Sequence, residues 1–387
     1  MKIVFTGGGT GGHFYPLIAI AEAIRELSNE RRLLAPQMYY VGPTPFDAEA
    51  LFENQILFLK CPAGKMRRYA SLRNITDLFV TAWGVIAAVL ILFRIYPDVV
   101  VSKGGYTSVP VTIAANILGI PVVIHESDAH PGRANLLAGK HAARIALAFD
   151  SARTYFPKKV QDKIARIGIP IRREVAHTDA EGAVEELGLD RSIPTILILG
   201  GSSGSVRINE TVIDALPDLV SFANIIHQTG KDNFSGVEAT SGVALSGNPH
   251  AARYHIFPYL NALSLRRAAG AATLVISRAG ATAISEIALW KKPAILIPIP
   301  EAISHDQRTN AYAYARTGAA VVLEEANMTP HVLASEAKRI STDAALSAQM
   351  AAHGADFATP DAARVIADEI LYIGLSHEPD PETTPES

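Results

Sequence analysis

The chain is punctuated by short apolar runs that end in glycine or small residues and then give way to longer amphipathic stretches. In the first half these runs are Ile3–Thr6, Met38–Val41, Ile56–Leu59, Val99–Ser102, Val122–His125 and Ile145–Ala148. In the second half they are Ile196–Leu199, Asn224–Gln228, Tyr254–Phe257, Leu274–Ser277, Ala294–Ile297 and Ala320–Leu323. Such strand patterns alternating with helix patterns imply parallel sheets covered by helices on both faces. The halves echo each other. Lys2-Ile3-Val4-Phe5-Thr6-Gly7-Gly8 corresponds to Thr195-Ile196-Leu197-Ile198-Leu199-Gly200-Gly201, and Val101-Ser102-Lys103-Gly104-Gly105 resembles Ile276-Ser277-Arg278-Ala279-Gly280. A length of 387 residues exceeds one ordinary core. The expected fold is therefore α/β, with two doubly wound parallel-sheet domains. In open parallel sheets ligands bind beyond the carboxyl ends of the strands. Four of these turns would face one cleft if the domains stand face to face.

The domain boundary is expected near Ile164–Arg173, where Ile167-Gly168-Ile169-Pro170-Ile171-Arg172 reads as a strand-like run broken by Gly and Pro, with a new helix pattern starting over Ala176–Gly188. This gives a first domain at 1–165 and a second at 166–360. The tail 374–387 carries Pro379, Pro381 and Pro385 with four acids and no Lys or Arg, and is expected to be disordered. A net charge of -3 leaves no footprint for nucleic acid. The single Cys61 excludes an internal disulfide and argues for a reducing compartment. The N-terminus reaches glycines too soon for a signal peptide, which points to a cytoplasmic protein.

Residues 78–93 are almost wholly apolar, shorter than the 18–20 residues or so that a spanning helix needs, and closed by Arg94 and Pro97. Lys65, Arg67, Arg68 and Arg73 precede them. Three readings are open: a helix packed on a sheet, a helix with one face in an anionic bilayer surface, and a true span.

Gly7-Gly8-Gly9-Thr10-Gly11-Gly12-His13 follows the first strand and opens a helix pattern over Tyr15 to Leu27. Backbone N–H groups at a helix N-terminus bind phosphate or oxyanion, and an imidazole beside them can move a proton near neutral pH. Gly7, Gly9 and Gly12 satisfy G-x-G-x-x-G, so a dinucleotide enzyme is a rival. That fingerprint also needs an acid near the end of the second strand, and here Val41-Gly42-Pro43-Thr44 precedes the first one, Asp47. No P-loop, no Asp-x-Asp pair for a metal-bound diphosphate and no Cys/His zinc cluster occurs. The expected cofactor and metal are none.

Gly200-Gly201-Ser202-Ser203-Gly204 is a second phosphate-cradle candidate, set against an ordinary turn with an N-cap serine. Ser277–Glu286 places Glu286 one or two turns into a helix, where a carboxylate could hold a ribose diol or simply complement the helix dipole. His305-Asp306-Gln307-Arg308-Thr309-Asn310 could read sugar hydroxyls or be a solvated helix start. His125-Glu126-Ser127-Asp128 with Pro131–Asn135 could bind an acceptor, or its acids could be structural caps.

In this order and spacing the motifs resemble the bacterial peptidoglycan GlcNAc transferases of glycosyltransferase family 28, from Met1 to about Ile373. The residues that carry the resemblance are the glycine turn with His13, Ser102–Tyr106, His125–Asp128, Gly200–Ser202, Ser277–Glu286 and Gln307–Ala311. The resemblance implies a GT-B fold whose N-terminal half takes the lipid acceptor and whose C-terminal half takes the nucleotide sugar. A last helix, 361–373, crosses back to the first domain. The implied reaction is inverting transfer of GlcNAc from UDP-GlcNAc to the MurNAc 4-hydroxyl of undecaprenyl-pyrophosphoryl-MurNAc-pentapeptide (lipid I), giving lipid II for cell-wall synthesis. The implied place is the cytoplasmic face of the plasma membrane, on an anionic surface, with other cell-wall synthesis proteins as candidate partners. Another GT-B lipid glycosyltransferase, or a non-catalytic nucleotide-sugar binding protein, is the alternative.

Carried over by position, the resemblance makes His13 the general base. It assigns Thr10, Gly11, Gly12, Asn135, Arg172, Ser202, Phe257, Glu286, Gln307 and Asn310 to the donor. Gly8, Gly9, Thr10, Gly104, Tyr106 and Asn135 go to the acceptor pyrophosphate. Leu78, Phe79, Trp83, Arg67 and Arg68 would associate with the membrane, which favours the interfacial reading of residues 78–93. One departure is visible. The family's Gly-Asn-Pro-x-Arg stands here as Gly168-Ile169-Pro170-Ile171-Arg172, without the amide.

Overall fold

A computed structural model describes residues 1–9, 11–65, 73–201, 204–303 and 305–376, with the backbone only at 73–75 and 305. Thr10, Arg67, Arg68, Ser202 and the tail beyond 376 therefore lie outside the described residues. The chain divides into two compact units, Met1–Arg172 with the segment from Pro360 on, and Arg173–Thr359.

The first unit is built on seven parallel strands: β1 (Lys2–Thr6), β2 (Gln37–Gly42), β3 (Ile56–Lys60), β4 (Val99–Ser102), β5 (Val122–Glu126), β6 (Arg144–Leu147) and β7 (Ile164–Arg166), in the order β3-β2-β1-β4-β5-β6-β7. Its helices are α1 (Gly11–Glu30), α2 (Ala48–Glu53), α3 (Arg73–Ile95), α4 (Val109–Ile117) and α5 (Arg133–Gly139). The second unit contributes α6 (Arg173–Ala176), α7 (Ala180–Leu187), α8 (Val206–Phe222), α9 (Phe234–Ala244), α10 (Ala262–Ala271), α11 (Ala281–Leu289), α12 (His305–Ala315), α13 (Pro330–Thr342) and α14 (Ala344–Phe357). Its six parallel strands are β8 (Thr195–Leu199), β9 (Asn224–Gln228), β10 (Tyr254–Phe257), β11 (Leu274–Ser277), β12 (Ala294–Leu296) and β13 (Ala320–Val322), in the order β10-β9-β8-β11-β12-β13. The final helix, α15 (Ala362–Leu375), belongs to the first unit.

The central strands are mostly apolar because helices cover both faces of each sheet there. In β1, Ile3 and Phe5 pack with Leu17, Ile20 and Ile24 of α1 and Ile366 and Ile370 of α15, while Val4 points to the other face, with Ala88 and Leu92 of α3. In β8, Ile196 and Ile198 meet α8 and α13, whereas Leu197 and Leu199 meet α10 and α11. Ion pairs Arg31–Asp368 (2.5 Å) and Arg144–Glu369 (2.6 Å) border α15. They are surface pairs, so the buried leucines and isoleucines of this helix hold it more firmly than its charges do.

Three differences from expectation have physical causes. The strand-like reading of residues 167–172 is wrong: the strand is β7, and the segment after it is held in the first unit by side chains. The His125 Nε2–H donates to Gly168 O at 2.7 Å, and the Arg172 guanidinium lies 4.2 Å from the centre of the Tyr15 ring. The unit boundary accordingly follows Arg172 rather than residue 165. The first helix starts at Gly11, inside the glycine motif, rather than at Tyr15. The apolar helix is also longer than its run of apolar residues, and Thr76–Ile95 is long and apolar enough to cross a membrane. One stripe, Gly84, Ala88 and Leu92, is buried at helical spacing. A Cβ on Gly84 would lie 2.0 Å from Pro62 O and 3.1 Å from Pro110 Cγ, so only glycine lets α3 seat this closely on its own unit.

Candidate active site

Strand order reverses between β1 and β4 in the first unit and between β8 and β11 in the second. The crevice at such a reversal is where doubly wound sheets bind ligands. The glycine motifs chosen from sequence sit at both reversals, at the carboxyl ends of those four strands.

In the first unit, the turns after β1, β4 and β5 interlock. Tyr40, at the end of β2, donates its hydroxyl to Gly7 O. Its pKa is pushed up to about 12 by burial and by Tyr106. Gly104 has φ +83°, and a Cβ there would lie 2.7 Å from Asn135 Nδ2. A Cβ on Gly105 would lie 3.0 Å from Gly8 O and 3.9 Å from His13 Cδ2, so the two turns abut at the histidine. Gly8, Gly9, Gly11, Gly12, His13, Gly104, Tyr106 and Asn135 thus gather at the carboxyl ends of β1, β4 and β5.

Ionisable groups are buried directly beneath. Lys103 is 1% exposed and donates from Nζ to Ser127 Oγ. Glu126 accepts from Asp128 N at 2.9 Å, Gly132 N at 3.0 Å and Asn135 Nδ2 at 2.9 Å. It is therefore the acid that organises the β5 turn, which decides for its structural reading. Burial, then repulsion from Asp128, raises its pKa to about 7. His13 is lowered to about 4 by loss of hydration, then by Lys103, with Asp128 opposing. His125 is driven well below the ordinary histidine range by burial and by Lys103. Asn135 Oδ1 is a buried acceptor with no partner among the described residues, an atom suited to a ligand hydroxyl or amide.

In the second unit, the turn after β8 is tied sideways. Gln228 donates from Nε2 to Gly201 O at 3.1 Å and accepts from Leu260 N at 3.0 Å. Ser205 caps α8 by accepting from Ile208 N at 3.3 Å. Arg278, at the end of β11, donates to Ser205 Oγ at 2.6 Å and to Ile297 O at 3.2 Å and pairs with Glu325. Glu286 is half-buried in the second turn of α11. Gln307 accepts from Ile299 N at 3.2 Å, which fixes the turn after β12, and Asn310 is fully buried on α12. Phe257 ends the outer strand β10, two strands from β8, where it lines a small recess with Ile226, Leu260 and Ala268. The expected donor set is thus divided: Gly11, Gly12, Asn135 and Arg172 belong to the first unit, Phe257, Glu286, Gln307 and Asn310 to the second.

A cavity of about 290 Å³ in the first unit, lined by Thr112, Asn116, Pro121, Leu137 and His141 among others, lies at the amino-terminal end of β5 and includes none of these residues. Sequence reasoning assigned no role to Lys103, Tyr40, Gln228 or Arg278. The signal available for Lys103 and Arg278 was their shared place after a strand and before glycine in the two echoing halves.

Two parallel α/β units with glycine turns at both reversals define a GT-B glycosyltransferase scaffold. Models of the glycosyltransferase family 28 N-terminal and C-terminal domains match residues 3–147 and 195–366. The chain belongs to glycosyltransferase family 28. It is 37% identical over 343 residues to a Bacillus anthracis protein named UDP-N-acetylglucosamine--N-acetylmuramyl-(pentapeptide) pyrophosphoryl-undecaprenol N-acetylglucosamine transferase 2, covering 88% of this chain and 91% of that one. A Symbiobacterium thermophilum protein named as the same kind of transferase is 35% identical over 375 residues, 96% of each chain. Among solved structures, Acinetobacter baumannii MurG superposes with a TM-score of 0.73 at 25% identity, covering 96% of this chain and 99% of that one. A Listeria monocytogenes structure titled a putative UDP-N-acetylglucosamine 2-epimerase reaches 0.70 at 14% identity, over 97% of this chain and 96% of that one, a likeness of fold alone.

Proposed function

We propose that this enzyme transfers GlcNAc from UDP-GlcNAc to the lipid-linked MurNAc-pentapeptide, forming lipid II in peptidoglycan synthesis. The observation that carries the reading is identity of 35–37% over most of the chain to transferases of that name. The attack is on the anomeric carbon by the MurNAc 4-hydroxyl, with inversion. His13 accepts the hydroxyl proton, for which its neutral form is the competent one. UDP departs as the glycosidic bond breaks, and its charge is met by N–H groups at the start of α8 and by basic side chains. Glu286 binds the ribose diol. Gln307 and Asn310 hold the GlcNAc hydroxyls. The acceptor pyrophosphate sits on the turns after β1 and β4, where buried Lys103 adds positive charge.

The outer face of α3 supports a peripheral place on the cytoplasmic side of the plasma membrane. Trp83, Leu90 and Phe93 are 63%, 65% and 69% exposed, while the opposite stripe is committed to the protein core. A helix docked by one face lies along the bilayer surface rather than across it. Replacing Leu90 and Phe93 together by Glu should lower partition onto anionic vesicles by at least about a hundredfold, since each apolar side chain withdrawn from the interface is worth about 1.5–3 kcal/mol. Sedimentation with vesicles measures this, and unchanged partition removes α3 from the contact.

The reading is tested by radiolabel transfer from UDP-GlcNAc to a lipid I analogue, with and without EDTA. Labelled lipid II in both arms is expected. Loss with EDTA contradicts metal independence. Binding of UDP-GlcNAc without transfer identifies a non-catalytic binding protein, and transfer only to a diacylglycerol acceptor identifies another lipid glycosyltransferase.

A further inference from the structure

We propose that Lys103 is a positioning residue for the transfer reaction: clamped to Ser127 beneath the glycine turns, it holds the β5 turn against His13 and sets its ammonium, flanked by the carboxylates of Glu126 and Asp128, within electrostatic reach of the imidazole. The proposal rests on the reading of His13 as base. Lysine is seldom fully buried without partners, and this one lies under two turns whose backbones touch. Its backbone N–H is bonded to Thr6 O at 2.9 Å, at the base of the first glycine turn, and its ammonium reaches Ser127, between Glu126 and Asp128. One residue therefore ties the three strand ends that form the site, its backbone to the end of β1 and its ammonium to the turn after β5.

Among the described residues, the groups that act electrostatically with His13 are Lys103 after β4 and Asp128 and His125 at the end of β5; Glu126 acts in turn on Lys103, and Tyr106 on Tyr40 of β2. Lys103 opposes protonation of His13 and Asp128 favours it. With both present their effects offset, and burial keeps the ring neutral and ready to accept a proton. An anionic pyrophosphate on the glycine turns tips that balance toward proton uptake, so the base gains strength once substrate is seated. Lys103 thereby couples acceptor binding to basicity.

The test uses the full-length enzyme, with and without an acceptor analogue. Histidine NMR titrates His13 in wild type, Lys103→Met, Asp128→Asn and the double variant, alongside the pH profile of kcat. Lys103→Met should raise the His13 pKa, and the acidic limb of kcat with it, by about one to two units. The KM for UDP-GlcNAc should stay unchanged. Asp128→Asn should lower the His13 pKa, and the double variant should return it toward wild type. A purely structural lysine would move none of these. If Lys103→Met does not fold, as loss of one partner in a buried charged cluster can cause, the double variant is compared with Asp128→Asn. The same upward shift is expected, and equal His13 values overturn the proposal. Retention of activity by His13→Ala with the NMR coupling intact would sink the base reading instead. A dead His13→Ala with no coupling would sink only the role of Lys103.

Discussion

The reversal at β1/β4 and the reversal at β8/β11 share topology, glycine turns and place in the sequence, yet they carry different chemistry. Beneath the first lie three buried ionisable groups, Lys103, Glu126 and His125, with half-buried His13 beside them. Around the second stand amides, a capping serine and one arginine already paired with Glu325. A site that must move a proton needs groups whose protonation is held away from ordinary values by burial and neighbours. A site that must hold a sugar nucleotide needs donors and acceptors in fixed places. The comparison supports the proposal that the first unit moves the proton and the second holds the donor.

The sharpest way to break that division is His13→Ala. Turnover should fall about a hundredfold to ten-thousandfold, measured as kcat at saturating donor and acceptor. Turnover within about tenfold of wild type would remove the base from the first unit.

Acid stability sharpens the comparison from the other side, because the second unit also buries a histidine. His227 Nε2–H donates to Asn209 Oδ1 at 3.1 Å and Nδ1 accepts from Tyr254 at 3.0 Å, inside β9. Burial lowers its pKa to about 3. The unfolded chain takes up this proton below pH 6.5 and the folded one does not, so stability is present above 6.5 and is lost as pH falls toward 3. At pH 5 the loss from His227 is about 2 kcal/mol. Urea unfolding of wild type and His227→Gln at pH 7 and pH 5 should show a smaller acid loss in the variant. An equal loss would mean that His227 is protonated in the fold. Glu126 has the opposite sign: its raised pKa removes stability as pH rises from 4.5 to 7.

The smallest expected effect is Glu286→Ala. Loss of hydrogen bonds between a carboxylate and a ribose should raise the dissociation constant for UDP by about tenfold to a hundredfold, read by calorimetry.

Much of this division was legible in the residues. Strands buried on both faces are mostly apolar, so the runs around Val4, Val100, Leu197 and Ile276 marked the sheets. β7 escaped because Ile164-Ala165-Arg166 is short and has exposed residues at its last two positions. Its apolar neighbours Ile167, Ile169 and Ile171 drew attention to the wrong segment. The glycine turns announced both reversals, since a short tight turn before a helix leaves few other choices. Lys103 was on view within its motif, but a lysine is ordinarily solvated, and only the interlocked turns put it beneath His13. The length of α3 was underestimated because helix continues past the apolar run at both ends, through Arg73 and Ile95.

The central claim is the separation of proton transfer from donor binding. Its most direct measurement is calorimetric titration of UDP into wild type, His13→Ala and Glu286→Ala under one set of conditions. An unchanged dissociation constant is expected for His13→Ala, despite its lost turnover, and a raised one for Glu286→Ala. Weakened UDP binding in His13→Ala with wild-type affinity in Glu286→Ala would contradict it.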